Sequence, residues 1–332
     1  MTENARGAVP AEMDGLPTEE AAESIVSREP SLDPAKVEET LAYVAADGVV
    51  CREGIEAGLE AVSGIIATPE ERVDLARREF GTAVKLAEPV ADLAVVASRL
   101  EGFEERLLAL KEEVDRLEPE LNELFNEWLE EPDDVYAMAD GLDQHATRGR
   151  RLAKLVDGLV ADLEAFQEWV TDAGVRFDEL EGDIGGIEES LADLAGALDD
   201  LDAETESAAD GEDGSEEPAF VWVDAALRHG LVGLLVDDLE TELGGLRAWA
   251  DREGSDGVDR ADDLAGRIED VRERWDALGT RIESAARPAW RERFGDRLAA
   301  FESDLDAFDP PIDWGAVQAT LEEHRAEIVP ET

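Results

Sequence analysis

The sequence predicts an all-α protein: an elongated antiparallel bundle of coiled-coil helical hairpins, preceded by a small N-terminal helical module. Apolar residues recur at alternating steps of three and four along most of the chain, as they do on a helix seam. No comparable run of alternating β-branched residues occurs, so no substantial sheet is expected. Glycine and proline fall mainly between the periodic segments, which predicts short turns and antiparallel neighbours.

Residues 1–68 form the predicted N-terminal module, with short helices between residues 18 and 66. The stretch "SLDPAKVEETLAYVAADGVV" contains a helix that starts at a proline and is expected to stop at Asp47 and Gly48. In "ATPEERVDLARREF", Thr68 is followed by Pro69 and, three residues after the threonine, by Glu71. This is a capping-box pattern, and it predicts that a long helix begins there.

Residues 69–201 form the first predicted coiled-coil bundle. Its apolar rows are Leu100, Phe103, Leu107, Leu110, Val114, Leu117, Leu121, Leu124 and Trp128, and then Phe177, Leu180, Ile184, Ile187, Leu191, Leu194, Leu198 and Leu201. A turn is expected at 130–134, with Asp133 or Asp134 as the N-cap of the next helix. A glycine stop is expected at 171–176. Pro119 should kink or interrupt its helix.

Residues 202–218, "DAETESAADGEDGSEEP", have no apolar periodicity and predict an acidic flexible linker. Residues 219–332 form a second predicted bundle that is related to the first. Its main apolar row is Leu264, Ile268, Val271, Trp275, Leu278, Ile282 and Ala285. A second glycine turn is expected at 251–257, and Pro288 should break the helical pattern.

An internal echo connects the two predicted bundles. "LVDGLVADLEAFQEW" at 155–169 recurs as "LVDDLETELGGLRAW" at 235–249, and each copy ends in a tryptophan, Trp169 and Trp249. The recurring positions are mostly apolar, so the echo indicates a repeated packing face rather than a duplicated ligand site. Asp157 and Asp237 are the only polar identity. Diverged duplication and convergence on one heptad pattern both remain open.

Charge is the most unusual property of the chain. It carries 85 acidic residues against 30 basic ones, a formal net charge of -55, and only four of the basic residues are lysines. At about 1 M salt the Debye length falls to roughly 3 Å, so repulsion between exposed carboxylates is largely screened. Together with regular apolar spacing, this predicts a folded cytoplasmic protein of a salt-accumulating halophile. No secretory signal and no membrane insertion are predicted.

The residues that usually carry catalysis are scarce. The sequence has three histidines and one cysteine, Cys51, and contains no phosphate loop, dinucleotide-binding glycine motif or metalloprotease motif. We therefore expect a non-enzyme with no cofactor and no metal. His145 lies on a seam, where a hydrogen bond to a neighbour is the main interpretation and a metal or pH-sensing role is the alternative.

The interaction candidates are the basic residues of "TRGRRLAK", namely Arg148, Arg150 and Arg151, together with His145 and the echoed Trp169 and Trp249. The net negative charge argues against nucleic acid as a partner, because phosphate binding needs a positive face. The tryptophans stand at helical spacing, which favours core packing over an aromatic ligand pocket.

A family resemblance concerns mainly the first eighty residues. "DPAKVEETLAYVAADGVVCREGIEAGLE" followed by "ATPEERVDLA" resembles haloarchaeal coiled-coil proteins labelled "halo transducer protein". The resemblance implies signal transduction and rests on no catalytic motif.

The functional expectation is a cytosolic coiled-coil interaction or scaffold protein, in which an unpaired stretch of seam binds a protein partner or a second copy of the chain. The alternative is a signalling or regulatory component. In that component, the N-terminal module senses or binds and the coiled coil relays.

We expect the helical content to depend on salt, because screening must offset the repulsion among the acidic side chains. Circular dichroism at 222 nm across a KCl titration should show helicity lost in dilute buffer and regained at molar salt. Full helicity in dilute buffer would contradict the halophilic interpretation.

Overall fold

The chain is all-α. The computed structural model describes residues 9–10, 12–130, 132, 134–208, 217–254, 257–310, 312 and 314–328. Its helices are α1 (Thr18–Arg28), α2 (Pro34–Leu41), α3 (Arg52–Ala87), α4 (Ala94–Glu130), α5 (Val135–Thr171), α6 (Ala173–Ala208), α7 (Glu217–Glu253), α8 (Gly257–Ala285), α9 (Pro288–Leu305) and α10 (Trp314–Ile328). Single 3-10 turns lie at Ala42–Val44 and Glu88–Val90.

The N-terminal module contains a small β-hairpin that the sequence analysis did not predict. α2 begins with Pro34 after the Asp33 cap and ends at Leu41, earlier than expected. The strands β1 (Ala45–Ala46) and β2 (Val49–Val50) then pair in antiparallel fashion. Asp47 and Gly48 connect them with positive φ angles of 53° and 78°. Two residues with positive φ form the tight turn that matches strand twist, so the chain reverses here instead of extending a helix.

α3 passes through Thr68 and Pro69 without a break, so the predicted helix start at this point is wrong. The Thr68 hydroxyl donates to the Gly64 carbonyl at 3.4 Å, as an interior helical threonine does. Proline removes one backbone hydrogen bond from a helix interior. Burial of Pro69 and of its neighbours Ile66 and Val73 offsets that loss. The predicted module boundary at 68 therefore falls inside a continuous helix.

The helix boundaries around α4 and α5 agree only in part with expectation. α4 continues through Pro119, so no interruption occurs there. Asp134 caps α5 as predicted, since its Oδ1 accepts from the amide of Ala137 at 3.0 Å; Asp133 lies outside the described residues. At the next junction Asp172 caps α6, accepting from the amide of Gly174 at 2.7 Å. The predicted break at 171–176 is therefore confirmed, but Asp172 rather than a glycine caps the junction.

The predicted linker is described only in part, and its described residues belong to helices. Of its range, 202–208 belong to α6 and 217–218 to α7, while 209–216 are not described. The next two expected breaks are confirmed. Gly254 follows α7 with φ +64°, and α9 begins at Pro288, where a missing amide costs nothing.

The chain divides into two compact units. Unit 1 comprises Met1–Leu86 and Arg99–Gln167, and unit 2 comprises Ala87–Ser98 and Glu168–Thr332. In unit 1, α4 and α5 run in opposite directions, since Phe103 packs on Phe166 while Glu120 pairs with Arg148. α3 and α5 run in the same direction.

In unit 2, α7 packs against α6, α8 and α9. The first half of α7 is apolar on nearly all sides, because neighbouring helices surround it. All eight members of the predicted α6 row are at most 4% exposed, which confirms that this row faces the core. Arg252 attaches residues 87–98 to the unit through a pair of 2.8 Å bonds to Asp92.

Arginines at every seventh position of α8 connect it to α6. This arginine ladder consists of Arg260, Arg267, Arg274 and Arg281. Each of the four donates to a group of the residue 86 positions earlier, which are Gly174, Glu181, Glu188 and Ala195. The constant offset shows that α6 and α8 run in the same direction and stay in step over three heptads. Hydrogen bonds to acidic partners raise the pKa of Arg260, Arg267 and Arg281.

α7 and α8 are joined by a reciprocal pair of aromatic side chains. The His229 and Trp275 rings stack with centroids 4.7 Å apart. His229 Nε2 donates to the Trp275 carbonyl at 3.0 Å, and Trp275 Nε1 donates to the His229 carbonyl at 2.8 Å. Glycine makes each approach feasible, because a Cβ on Gly233 or Gly279 would lie 2.8 Å from the opposing ring. This contact explains two glycines inside long helices.

We expect Arg267→Gln to destabilise unit 2, because it removes bonds to Glu181 at 3.2 Å and Glu188 at 3.0 Å. The free energy of unfolding from urea titration at fixed salt should fall by about 1 kcal/mol. The matched control is Arg274→Gln, because the bond described for Arg274 is a 3.4 Å contact with a backbone carbonyl. Its effect should stay below about 0.5 kcal/mol. Equal effects of the two substitutions would contradict a contribution from the carboxylates.

Candidate functional site

The predicted basic segment lies on α5 in unit 1, and its side chains take different directions. Arg148 bonds Glu120 of α4 at 2.6 Å. Arg150 reaches the Tyr43 hydroxyl of the N-terminal module at 3.4 Å, and Arg151 is exposed. His145 is half-buried, and its Nδ1 bonds the carbonyl of Gly141 at 2.8 Å. The segment is therefore not one uniform basic face, and the histidine bonds its own helix rather than a neighbouring one.

Arg150 and Lys154 line a cleft of about 310 Å³ between α3 and α5, together with Thr68, Arg72 and Asp157. Nη1 of Arg72 donates to both Asp157 and the Ala153 carbonyl. Three cationic side chains and one carboxylate thus line the same cleft, in a chain whose net charge is -55. We define these five lining residues as the cationic cleft.

The single polar identity of the echo has a structural explanation. Asp157 pairs with Arg72 of α3 in unit 1, and Asp237 pairs with Arg272 of α8 in unit 2. In both cases the aspartate accepts from an arginine of a neighbouring helix. The hydrogen bonds that Arg272 makes to Glu240 and Asp237 raise its pKa far above the usual value. The echo therefore repeats an ion pair as well as an apolar face.

The echoed tryptophans pack on each other. Trp169 and Trp249 are 1% and 2% exposed, and their rings meet edge to face with centroids 5.4 Å apart. Offset and edge-to-face pairs of this kind stabilise a core beyond the area they bury. The two residues are thus core residues of unit 2, and no ligand surface is available on them.

Arg176 completes this aromatic cluster. It is 2% exposed, and its guanidinium carbon lies 3.8 Å from the centroid of the Trp249 ring. Nη1 donates to the carbonyl of Val170 at 2.9 Å and Nη2 to Glu253 at 2.7 Å. The arginine thereby satisfies carbonyls at the end of α5, where a helix has no internal partner for them. Burial lowers its pKa, opposed by the charge of Glu253.

No metal site is assembled from the described histidine, cysteine and carboxylate side chains. Within the described ranges, no group of three metal-ligating side chains is arranged around a common point. His324 bonds Asp304 at 2.8 Å and packs edge to face on Phe301, which places it in the contact between α9 and α10.

α7 is the one helix of the described chain that is long and apolar enough to cross a membrane. The stretch Pro218–Glu253 has an 18-residue window of mean hydropathy 1.5, half of which is buried inside unit 2. The core helix of a soluble protein has the same length and composition, and α7 does pack against α6, α8 and α9.

No protein-family model, no curated protein and no solved structure matches this chain. The resemblance to halo transducer proteins stays a prediction.

Two residues that build these arrangements were not predicted. Arg72 is one of four arginines in α3, and Arg176 is the one arginine of α6. The echo held a partial signal for Arg72, because an aspartate that recurs in an otherwise apolar repeat indicates a cationic neighbour. For Arg176 the sequence offered only its position shortly after a helix end.

We expect Trp249→Ala to lower the free energy of unfolding by about 3–5 kcal/mol, since it leaves a cavity beside Trp169 and removes the surface that supports Arg176. Trp249→Phe is the control, because it keeps an aromatic ring in the core. Chemical denaturation followed by circular dichroism measures both. Unchanged stability in Trp249→Ala, combined with lost partner binding, would show that the residue belongs to an interface.

Proposed function

We propose that the protein is a non-enzymatic, cytoplasmic interaction or scaffold protein of a halophilic archaeon, and that unit 1 carries its partner-binding surface. The observation that carries the proposal is the distribution of exposed apolar side chains. In the described ranges, the large apolar side chains left exposed all belong to unit 1: Leu75, Val84, Leu86, Leu108 and Leu155.

Two of these residues are the most exposed of the set. Leu108 is 59% and Leu155 is 45% exposed. Because 35% of the residues are charged, the chain has ample polar side chains for its exposed helix positions, so large apolar side chains there are exceptions. Exposed apolar groups on helix faces are typical of surfaces that pack on another helix.

Leu75 and Leu86 supply the most regular part of this surface. They are eleven residues apart on α3, which is close to three full turns, so they project from the same side of the helix. Each is 38% exposed. A partner helix, from another protein or from a second copy of this chain, would complete the seam in the manner of a coiled coil.

The constant seven-residue step between α6 and α8 supports the coiled-coil aspect of the proposal, because a strict heptad offset is what supercoiled helices maintain. The alternating rows of the sequence favour the same arrangement. Arginine pairs between acidic helices also fit a protein that works at high salt, where such surfaces remain soluble.

A signalling component is the second candidate, and one contact favours it. Tyr43 of the N-terminal module meets Arg150 of the cationic cleft. The module and the cleft are thus in direct contact within unit 1, so an event at one can bias the other. Loss of partner binding in Tyr43→Phe, with the helical content unchanged, would favour a relay over a passive scaffold.

We expect the double substitution Leu75→Glu with Leu86→Glu to abolish partner binding while leaving the fold intact, because both side chains are exposed in the free chain. Cross-linking and affinity capture from native lysate in molar KCl detect the partner. Light scattering under the same conditions reports self-association.

The matched control is Ser63→Glu with Ala67→Glu, which adds the same two charges at exposed positions of α3 and removes no large apolar group. Binding should survive in this control. Loss of binding in both variants would indicate a charge effect, and a monomer that captures no partner would refute the proposal.

A further inference from the structure

The cationic cleft concentrates positive charge in a strongly acidic protein. Arg72, Arg150 and Lys154 contribute three positive charges and Asp157 one negative charge, so the difference is two net positive charges. A cleft of about 310 Å³ is at the small end of the range for ligand sites. A small anion is therefore the ligand class that matches both its charge and its size.

The arrangement of the two cations on α5 also favours an anionic ligand. Arg150 and Lys154 are four residues apart, so they stand one above the other on one side of the helix. Like charges in this relation repel and destabilise a helix. Acidic residues are common in this chain, which has 85 of them, so two cations at positions 150 and 154 are an unusual combination. A bound anion would turn this repulsion into attraction at two points.

The donors of the cleft suit a phosphoryl group better than a single carboxylate. A guanidinium has five N–H donors. The described bonds of Arg72 come from Nη1, and that of Arg150 also comes from Nη1. Two guanidinium groups and one ammonium group can serve three peripheral oxygens that share a double negative charge, whereas a carboxylate has two oxygens and one charge.

We propose that the cleft between α3 and α5 binds a phosphoryl dianion, as free phosphate or as the end of a small phosphate ester, held by Arg72, Arg150 and Lys154. In molar salt the long-range attraction is screened, so binding depends on direct hydrogen bonds at contact distance. This ligand site does not rest on the apolar partner surface proposed above. Each can fail without the other.

Isothermal titration calorimetry of the full chain in constant molar KCl tests the proposal, with inorganic phosphate and glycerol 3-phosphate as separate probes. We expect saturable binding of at least one probe, and the probe that binds more tightly identifies the source of the phosphoryl group. Arg150→Gln and Lys154→Gln should each weaken binding by about tenfold or more, as loss of a charge-assisted hydrogen bond does.

Arg148→Gln is the matched control, because it removes the same charge two residues from Arg150 but from a side chain that bonds Glu120 of α4. Its binding should equal that of the unaltered chain. Circular dichroism in the same buffer establishes that each variant is folded. Absence of saturable heat with either probe, or equal weakening by Arg148→Gln, would overturn the proposal.

Discussion

Pairing of arginine with carboxylate between neighbouring helices is the interaction on which the rest of this structure depends. With 85 acidic residues against 30 basic ones, two packed helices would otherwise face each other with the same charge. Several of the basic residues stand where helices meet: Arg148 with Glu120 and Arg106 with Asp162 in unit 1, and the arginine ladder in unit 2. Each exposed pair stabilises only weakly, but each also replaces a repulsion. Arginine suits this role because its planar group engages two acceptors at once.

Much of the fold could be predicted because it follows from local periodicity. The apolar rows identified the buried faces of α6 and α8, and the breaks at Gly254 and Pro288 occur where expected. The wrong predictions concern local sequence patterns that are compatible with two different structures. Thr68 and Pro69 form a good helix start, yet burial around them keeps α3 continuous. Asp47 with Gly48 can end a helix or make a hairpin turn, and the flanking strand residues decide for the hairpin.

The candidate site could be predicted only from its α5 side. Arg150 belongs to a basic cluster that is visible in the sequence, but Arg72 is 78 positions earlier and becomes its neighbour only through helix packing. The same holds for Trp169 and Trp249, whose equivalence is clear from the echo although their mutual contact is not. A sequence repeat indicates that two helices have similar packing faces. It does not indicate which helices pack against those faces.

The arginine ladder also provides a means of fixing alignment between α6 and α8. A seven-residue apolar pattern looks the same after a slip of one heptad, so burial alone cannot choose among alignments. The acidic partners are not uniform, however. Arg260 and Arg281 each pair with carboxylates 82 and 79 positions earlier, whereas the same offsets from Arg274 lead to Ala192 and Ala195, and the bond described for Arg274 goes to a backbone carbonyl. If α8 slid back by one heptad, Arg281 would come to the positions of Ala192 and Ala195 and would lose both of its carboxylate partners. The uneven placement of carboxylates along α6 therefore favours the observed alignment of α8 over alignments that are shifted by one heptad.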